Sequence, residues 1–424
     1  MRSPFLVPIL LAISSIVPAF AQQAQPDFNA LNAAFGIPIW ENDNLWSDSD
    51  AALAQRLRWP QESQTSTENS YRLYPRADDV VLGTRPFSLA LYGADGKPSQ
   101  ISMVFANKGD VAELAGINRG QALDMKTRIA AQQATLDYKK YIRQDSDEIQ
   151  KKLTDLLGPP KNDQIGQARD TREQVKRWDW KGHSILLASP RDEYVAVRIV
   201  PTASLASTTI EHVSQEDMRK KLQARVEHRA NGDVVLQDLP MVNQGPKGYC
   251  GPATWERVLR YMGIPADMYV LAMAGKTDAG GGTRMDSING GMVDVVNANG
   301  RRLTQDAGQV QTRNIARYTD AGLPVIWYVC VDEPTDKMIS QRTQERQAVT
   351  DWAAWKKSLE PYRKAASKIP APRDQGHVRL IIGYNDKTGE IAISDSWGSH
   401  YAERWMTVEE ANAMSQHSFT VVNF

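Results

Sequence analysis

The 424-residue sequence predicts an α+β protein with two main domains, and three patterns support this prediction. The first half contains two pairs of apolar segments joined by short turns, which are typical of β-hairpins. Between the pairs lies a long stretch whose apolar residues recur at helical spacing. The second half combines a short apolar helix with several strands of core composition. Two hairpins and a long helix favour an α+β domain at residues 35–200, and residues 231–424 have the pattern of one further domain.

The elements of the first half follow from local patterns of residue type. Residues 22–32 predict a flexible leader. Ser47 and Asp50 fit a capping box in front of a short helix at residues 51–57. Residues 61–70 are polar and rich in Ser and Thr, which predicts a loop.

The central part of this domain is predicted with two hairpins around one helix. The paired strands are residues 88–92 with 100–105 and residues 185–187 with 194–200. The helix extends from about Met125 to Leu156, and Gly158 ends it. No chemical motif occurs in residues 35–200, so the role of this domain is left open.

The N-terminus has the pattern of a secretory signal peptide at residues 1–21. Arg2 supplies a positive charge, residues 5–20 are apolar, and Ala19-Phe20-Ala21 resembles a cleavage site. The alternative is an uncleaved membrane anchor, which the short, proline-containing stretch disfavours. No later run is long enough to span a bilayer. We therefore expect an exported protein, periplasmic or secreted, with no stable membrane insertion after cleavage.

Composition excludes some partners and cofactors. Fifty Lys and Arg residues balance fifty Asp and Glu residues, so the formal net charge is zero. This balance predicts no nucleic-acid-binding surface. The six histidines form no ligand spacing with the two cysteines, and no metal or cofactor is predicted. The oligomeric state is not readable from the sequence.

A linker and a helix are predicted between the two domains, at residues 201–230. Residues 201–209 are rich in Ser, Thr and Ala, which is typical of a linker. Ser214 with Asp217 then caps a charged helix that extends to about His228. A strand pattern begins at Val234.

The segment QGPKGYCGPA, residues 244–253, contains Cys250 at the start of a predicted helix. A helix N-terminus stabilises a thiolate, which is the reactive form of a cysteine nucleophile. Pro252 suits a first helical turn, and Gly263 is a natural stop. The backbone N–H of Cys250 and the side-chain amide of Gln244 are candidate donors to an oxyanion.

A histidine and an acid follow more than one hundred residues later. His377 begins a strand of core composition, and Asp395 directly follows the next strand. Antiparallel pairing of these strands brings both residues to the same end of a hairpin. There, Asp395 accepts a hydrogen bond from one imidazole nitrogen and leaves the other for the thiol. Asn385 and Asp386 are rival partners, but they lie in the turn at the far end.

These motifs resemble the papain-like cysteine peptidases, and most closely the branch of double-glycine leader peptidases in bacteriocin exporters. The resemblance covers residues 233–424 and implies a Cys-bearing helix packed on an antiparallel sheet. It implies that Cys250 is the nucleophile, His377 the general base, Asp395 its orienting acid and Gln244 part of the oxyanion hole. The substrate is then a peptide or a protein, cleaved through an acyl-enzyme.

The chain departs from this branch in two ways. Leader peptidases are fused to a membrane-spanning transporter, which this chain lacks, so leader processing is not implied. Residues 331–376 are inserted before His377, either as a lid or substrate-selecting wall or as decoration. Asp395-Ser396-Trp397-Gly398 resembles the Asn-Ser-Trp-Gly of papain-type enzymes. Trp397 either shields the His–Asp hydrogen bond or is a core tryptophan.

The glycine-rich segment Gly280-Gly281-Gly282-Thr283 also has two interpretations. It is either part of the substrate cleft or a turn.

Three further questions stay open at this point. A structural Cys250–Cys330 disulfide would leave a catalytically silent protein that binds peptides or cell-wall material. Amide hydrolysis on a non-peptide and transpeptidation share the same acyl-enzyme step and are not separable by sequence. The N-terminal domain is an inhibitory pro-segment, a substrate-recruiting module or a structural partner.

Overall fold

The computed structural model describes residues 25–111, 125–166, 168–190, 192–206, 214–279, 282–370 and 376–424. The predicted signal peptide lies outside the described residues. Within those ranges, none of the helices combines the length and apolar character needed to cross a membrane.

The N-terminal half forms one antiparallel sheet with strand order β1-β2-β3-β4-β8-β7-β6-β5. Its strands are β1 (Gln61–Gln64), β2 (Glu68–Leu73), β3 (Ser88–Ala94), β4 (Lys97–Asn107), β5 (Lys161–Ile165), β6 (Glu173–Trp180), β7 (His183–Ala188) and β8 (Tyr194–Pro201). Its helices are α1 (Phe28–Phe35), α2 (Asp50–Leu57), α3 (Met125–Leu157) and α4 (Thr202–Ala206).

The strongest local patterns are confirmed here. β3 and β4 form a hairpin around Asp95 and Gly96, whose φ values of 51° and 74° suit a tight turn. β7 and β8 form the second hairpin. α3 ends at Gly158, which has a left-handed φ of 83°.

Two expectations for this region are wrong. The predicted leader includes most of α1, which Asp27 caps and which buries Leu31 and Phe35 in the domain core. The predicted loop at 61–70 contains β1 and the start of β2. This edge of the sheet is polar because its side chains have polar partners: Glu62 and Arg72 form an ion pair at 2.7 Å, with both side chains about 3% exposed. The polar residues at 61–70 therefore predicted a loop, whereas pairing between β1 and β2 makes this segment a strand.

Both faces of the N-terminal sheet are buried, and they belong to different cores. Ile185 and Val197 are on the face that packs with α3. The alternate residues Leu186 and Ala196 face the other way and pack with Tyr249 and other residues of the second half. This two-residue alternation is the periodicity of a β-strand. The second half of the chain therefore packs against the central part of one face of the first sheet.

The C-terminal half forms a second antiparallel sheet with strand order β11-β16-β12-β13-β10-β9. β14 pairs with the other edge of β13, and β15 pairs with β14. The strands are β9 (Val226–His228), β10 (Val234–Leu236), β11 (Arg302–Ala307), β12 (Val325–Cys330), β13 (Gly376–Asn385), β14 (Glu390–Ser394), β15 (Arg404–Thr407) and β16 (Ser415–Asn423). The helices are α5 (Gln215–Gln223), α6 (Cys250–Tyr261), α7 (Met268–Ala274), α8 (Met285–Ala298), α9 (Thr312–Thr319), α10 (Glu333–Arg346), α11 (Trp352–Ser358), α12 (Glu360–Ala366) and α13 (Val408–Met414).

The predicted fold class is confirmed: the protein is α+β, with antiparallel sheets and with the Cys-bearing helix α6 packed against β13. One boundary differs from the prediction. The charged helix capped by Ser214 ends at Gln223, not near His228, because β9 follows it and pairs with β10. Three residues are too few for a strand pattern to be distinguished from the end of a helix.

The insertion at 331–376 contains α10, α11 and α12, and buried ion pairs join α10 to the rest of the domain. Arg342 binds Glu410 of α13 through both carboxylate oxygens, at 2.9 and 2.6 Å. Arg346 binds Asp233 in the same manner, at 2.8 and 2.6 Å. Separating a buried pair leaves charges unpaired in the interior, which is costly. The contacts therefore favour a fixed supporting role for α10 over that of a lid.

Candidate active site

Cys250 is the first residue of α6, directly after the N-cap residue Tyr249. The predicted helix is confirmed, and it ends before Gly263, whose φ is 76°. Cys250 is partly buried and lies where the helix directs its unpaired N–H groups and its positive end. Thr254, one turn later, donates its hydroxyl to the Val378 carbonyl at 3.3 Å and so joins α6 to β13.

The hairpin of β13 and β14 brings His377 and Asp395 together. Leu380 of β13 pairs with Ser394 of β14. His377 and Asp395 lie at the same open end of this hairpin, so their side chains are neighbours. His377 Nε2 and Asp395 Oδ1 are 2.7 Å apart, within hydrogen-bonding distance. Nδ1 is then the ring nitrogen left for the thiol.

Cys250 and His377 interact as a thiol–imidazole pair. Burial raises the pKa of the Cys250 thiol, while the hydrogen bond and the charge of His377 lower it. Backbone N–H groups of Val378 and Gly251 act in the same direction, so the pKa lies below that of an ordinary thiol. Burial lowers the pKa of His377, but its contacts with Asp395 and Cys250 raise it above the ordinary value. Both shifts favour the thiolate–imidazolium form.

Asp395 is fully buried and lies in a cluster of alternating charges. Its Oδ1 accepts a hydrogen bond from Arg379 Nε at 2.8 Å, and its Oδ2 accepts one from Arg404 at 2.6 Å. Asp336 of α10 binds both arginines from the other side. Burial alone raises the pKa of Asp395, but Arg379, His377 and Arg404 hold it far below the usual carboxyl range. The carboxylate therefore stays ionised beside His377.

Sequence reasoning missed this cluster. Arg379 carried the one available signal, because it is a charge inside an otherwise apolar strand and lies two residues from His377, on the same face. Arg404 and Asp336 have no such signal in the sequence. They reach the cluster only because α10 packs against β15.

Trp397 covers the imidazole. Its ring stacks on His377 with centroids 4.4 Å apart and planes at 24°. The guanidinium of Arg379 lies 5.5 Å from the same ring centroid. Trp397 is only partly buried, so it lies between His377 and solvent rather than deep in the core.

Gln244 is buried beside the residue that follows Asp395. Its backbone N–H donates to the Ser396 carbonyl at 2.8 Å, and its Oε1 accepts the Ser396 hydroxyl at 2.8 Å. Its Nε2 donates to the Lys247 carbonyl at 2.8 Å. An amide nitrogen carries a second proton, which leaves one donor for another acceptor.

The glycine-rich segment is described in part, because Gly280 and Gly281 lie outside the described residues. The N–H of Gly282 donates to the Gly248 carbonyl at 3.0 Å. Thr283 packs 3.5 Å from the point where a Cβ on Gly251 would stand. The segment therefore borders the loop before Cys250, and α8 begins two residues after Thr283, at Met285.

Cys250 and Cys330 are both free thiols. The Cys250–Cys330 disulfide, which the catalytically silent alternative requires, is therefore not formed in the structure. Cys330 ends β12 opposite Gly376, and its Sγ accepts a 3.4 Å contact from Gln416. The described ranges contain no group of three or more His, Cys, Asp or Glu side chains arranged to hold a metal ion.

Comparison with known proteins gives a match in the C-terminal part of the chain. A family model described as Peptidase_C39 like family matches residues 236–421, which are under half of the chain. The match does not extend to the specific branch of double-glycine leader peptidases. No curated protein matches the chain significantly. The C-terminal part is thus similar to the C39-like peptidases, which supports a papain-like C39 peptidase domain acting on peptides or proteins.

Proposed function

We propose that the protein is a cysteine peptidase that uses Cys250, His377 and Asp395 as a triad and Gln244 in the oxyanion hole. The supporting observation is the continuous chain of contacts from the Cys250 thiol, with its lowered pKa, through His377 to the buried, ionised Asp395. The family match of residues 236–421 supports the cysteine-peptidase class of the proposal.

In the proposed reaction, the Cys250 thiolate attacks the carbonyl carbon of the scissile peptide bond. The backbone N–H of Cys250 and Nε2 of Gln244 stabilise the oxyanion that forms. The imidazolium of His377 gives its proton to the leaving amine, and a thioester remains on Cys250. His377 then takes a proton from water, which attacks the thioester and releases the acid and the free thiol. Asp395 holds the ring orientation in both steps.

The proposal includes export, on the basis of the apolar stretch at residues 5–20 and the Ala19-Phe20-Ala21 site. Intact-mass measurement of the protein collected outside the cytoplasm should give a chain that begins near Gln22. A chain that retains Met1 would contradict export with cleavage.

Digestion of a peptide library tests the function directly. The full chain is incubated with peptides derived from a whole proteome, and new termini are identified by mass spectrometry. Protein already treated with iodoacetamide is the blank. New termini above the blank support hydrolysis, and peptides joined to an added amine indicate transpeptidation. A reactive Cys250 with no new termini or joined peptides would favour the silent, peptide-binding alternative.

Replacing Gln244 with alanine should slow acyl transfer, with kcat reduced by about 10²–10³-fold, because one oxyanion donor is lost. Alkylation of Cys250 by iodoacetamide should keep its rate, since displacement at a saturated carbon forms no oxyanion. Gln237→Ala is the control, because the Gln237 side chain bonds to exposed Glu227. Equal kcat values for Gln244→Ala and wild type would remove Gln244 from the proposed mechanism.

A further inference from the structure

The loop of residues 241–249, which leads to the nucleophile, lies between the two sheets. On the C-terminal side, Gln244 is bonded twice to Ser396, once through the backbone and once through the side chains. The loop ends at Tyr249, whose ring packs against Tyr269 of α7 with centroids 5.7 Å apart. These contacts belong to the papain-like domain itself.

On the other side, the first sheet supplies hydrogen bonds to the loop backbone. Ser63 Oγ accepts the N–H of Met241 at 2.9 Å, and the Glu62 carboxylate accepts the N–H of Asn243 at 2.7 Å. The Tyr74 hydroxyl donates to the Asn243 carbonyl. Two of these three side chains come from the polar edge strand β1. Polar side chains of β1 therefore accept hydrogen bonds from the loop backbone.

A buried ion pair joins the same loop to the turn that follows β4. Lys247 Nζ lies 3.2 Å from Asp110 Oδ1, and the two side chains are 0% and 1% exposed. Asn107 donates to the other oxygen of Asp110 at 2.7 Å and fixes the carboxylate. The ammonium of Lys247 also lies 4.6 Å from the Tyr74 ring centroid. A lysine so enclosed has little freedom to change its position.

Lys247 connects this pair to the proposed oxyanion donor. Its side chain is held by Asp110, and its carbonyl accepts the hydrogen bond from Gln244 Nε2 at 2.8 Å. Close packing reinforces the position of the loop: a Cβ on Gly109 would lie 2.6 Å from the Tyr249 ring. The orientation of the Gln244 amide is thus linked, contact by contact, to the N-terminal sheet.

We propose that Asp110 and Lys247 are positioning residues through which the N-terminal sheet orients the Gln244 amide for acyl transfer. The inference rests on the proposed peptidase function. It makes the N-terminal region a permanent part of the catalytic unit rather than an inhibitory pro-segment. Removal of that region would take away the partners of the loop. It would also expose the Tyr249 ring, which packs with Leu186 and Ala196 of that sheet.

The test uses full-length Lys247→Met, Asp110→Asn and the double variant. The double variant carries no lone buried charge, so it is the form expected to fold even if a single variant does not. Each protein is assayed for acyl transfer from a p-nitrophenyl ester and for iodoacetamide alkylation of Cys250 across pH. We expect acyl transfer to fall about 10- to 100-fold, because small misplacement of a donor is costly. Alkylation and its pH profile should stay within about twofold, because the contacts of Cys250 with His377 are untouched.

Lys108→Met is the matched control. Lys108 pairs with Glu193 at 3.1 Å near the same end of the first sheet. Wild-type acyl transfer in the control and a selective loss in the double variant support the inference. Unchanged acyl transfer in the folded double variant overturns it, and so does an equal loss of alkylation, which would indicate a general structural role. A wild-type protein that alkylates rapidly but transfers no acyl group overturns the proposed function and this inference with it.

Discussion

Replacing Cys250 with alanine is expected to abolish peptide hydrolysis while leaving the fold intact. Loss of the nucleophile in other hydrolases lowers kcat by roughly six orders of magnitude, since the remaining groups have no bond-forming partner. The substitution removes one sulfur atom from a partly buried position, so the effect on the free energy of unfolding should be small. Release of new peptide termini measures the activity, and urea unfolding measures the stability.

The second cysteine provides the matched control. Cys330 is also free and partly buried, and it lies at the end of β12. Cys330→Ala should retain activity within about twofold of wild type, because no step of the proposed reaction uses its thiol. Hydrolysis that survives in Cys250→Ala, or that disappears in Cys330→Ala, would contradict the assignment of the nucleophile.

Replacing Asp395 with alanine is expected to reduce both activity and stability. His377 loses the acceptor that orients its ring, and comparable changes in other triads lower kcat by about 10⁴-fold. Arg379 and Arg404 lose a fully buried partner, and removal of one side of a buried ion pair costs about 3–5 kcal/mol in the free energy of unfolding. Few single substitutions in this domain should have a larger effect. Steady-state kinetics and urea unfolding measure the two losses separately.

The pH dependence of this stability loss has a definite sign. The pKa of Asp395 is lowered in the folded state, mainly by Arg379, His377 and Arg404 acting against burial. Its contribution is therefore fully present above the unfolded pKa of about 3.9 and is lost as the pH falls below that value. Through this contribution, the difference between wild type and Asp395→Ala should shrink in acid, as the pH falls below about 4.

Asp386→Ala is the control, because Asp386 is exposed and lies in the turn at the opposite end of the hairpin. Its effect on stability should stay within about 0.5 kcal/mol. Wild-type activity in Asp395→Ala together with a loss in Asp386→Ala would reverse the choice between the two acids.

The sequence predicts the parts of the site that depend on local pattern. A helix from Cys250 to a glycine stop requires only periodic apolar residues and helix-end chemistry. A hairpin with a short turn fixes the register between His377 and Asp395 without reference to the rest of the fold. Both features are present in the structure.

The support around the site depends on residues far apart in the sequence. Asp336 and Arg404 are 68 residues apart, and Lys247 and Asp110 are farther apart still. Neither pair has a local motif, because each forms only when separate elements pack together. The same cause explains the error at residues 61–70: the side chains of Glu62 and Ser63 are polar since they bind a distant loop, not because they face solvent.

The most direct measurement is the rate of iodoacetamide alkylation at Cys250 against pH, followed by peptide mass spectrometry in wild type and in His377→Ala. His377 lowers the pKa of the thiol, and its own pKa is raised, so wild-type labelling should stay fast well below pH 8. In His377→Ala, labelling should be slower there and should follow an ordinary thiol with a pKa of about 8.5. Identical profiles in the two proteins, both rising only near pH 8.5, would contradict a histidine-activated nucleophile.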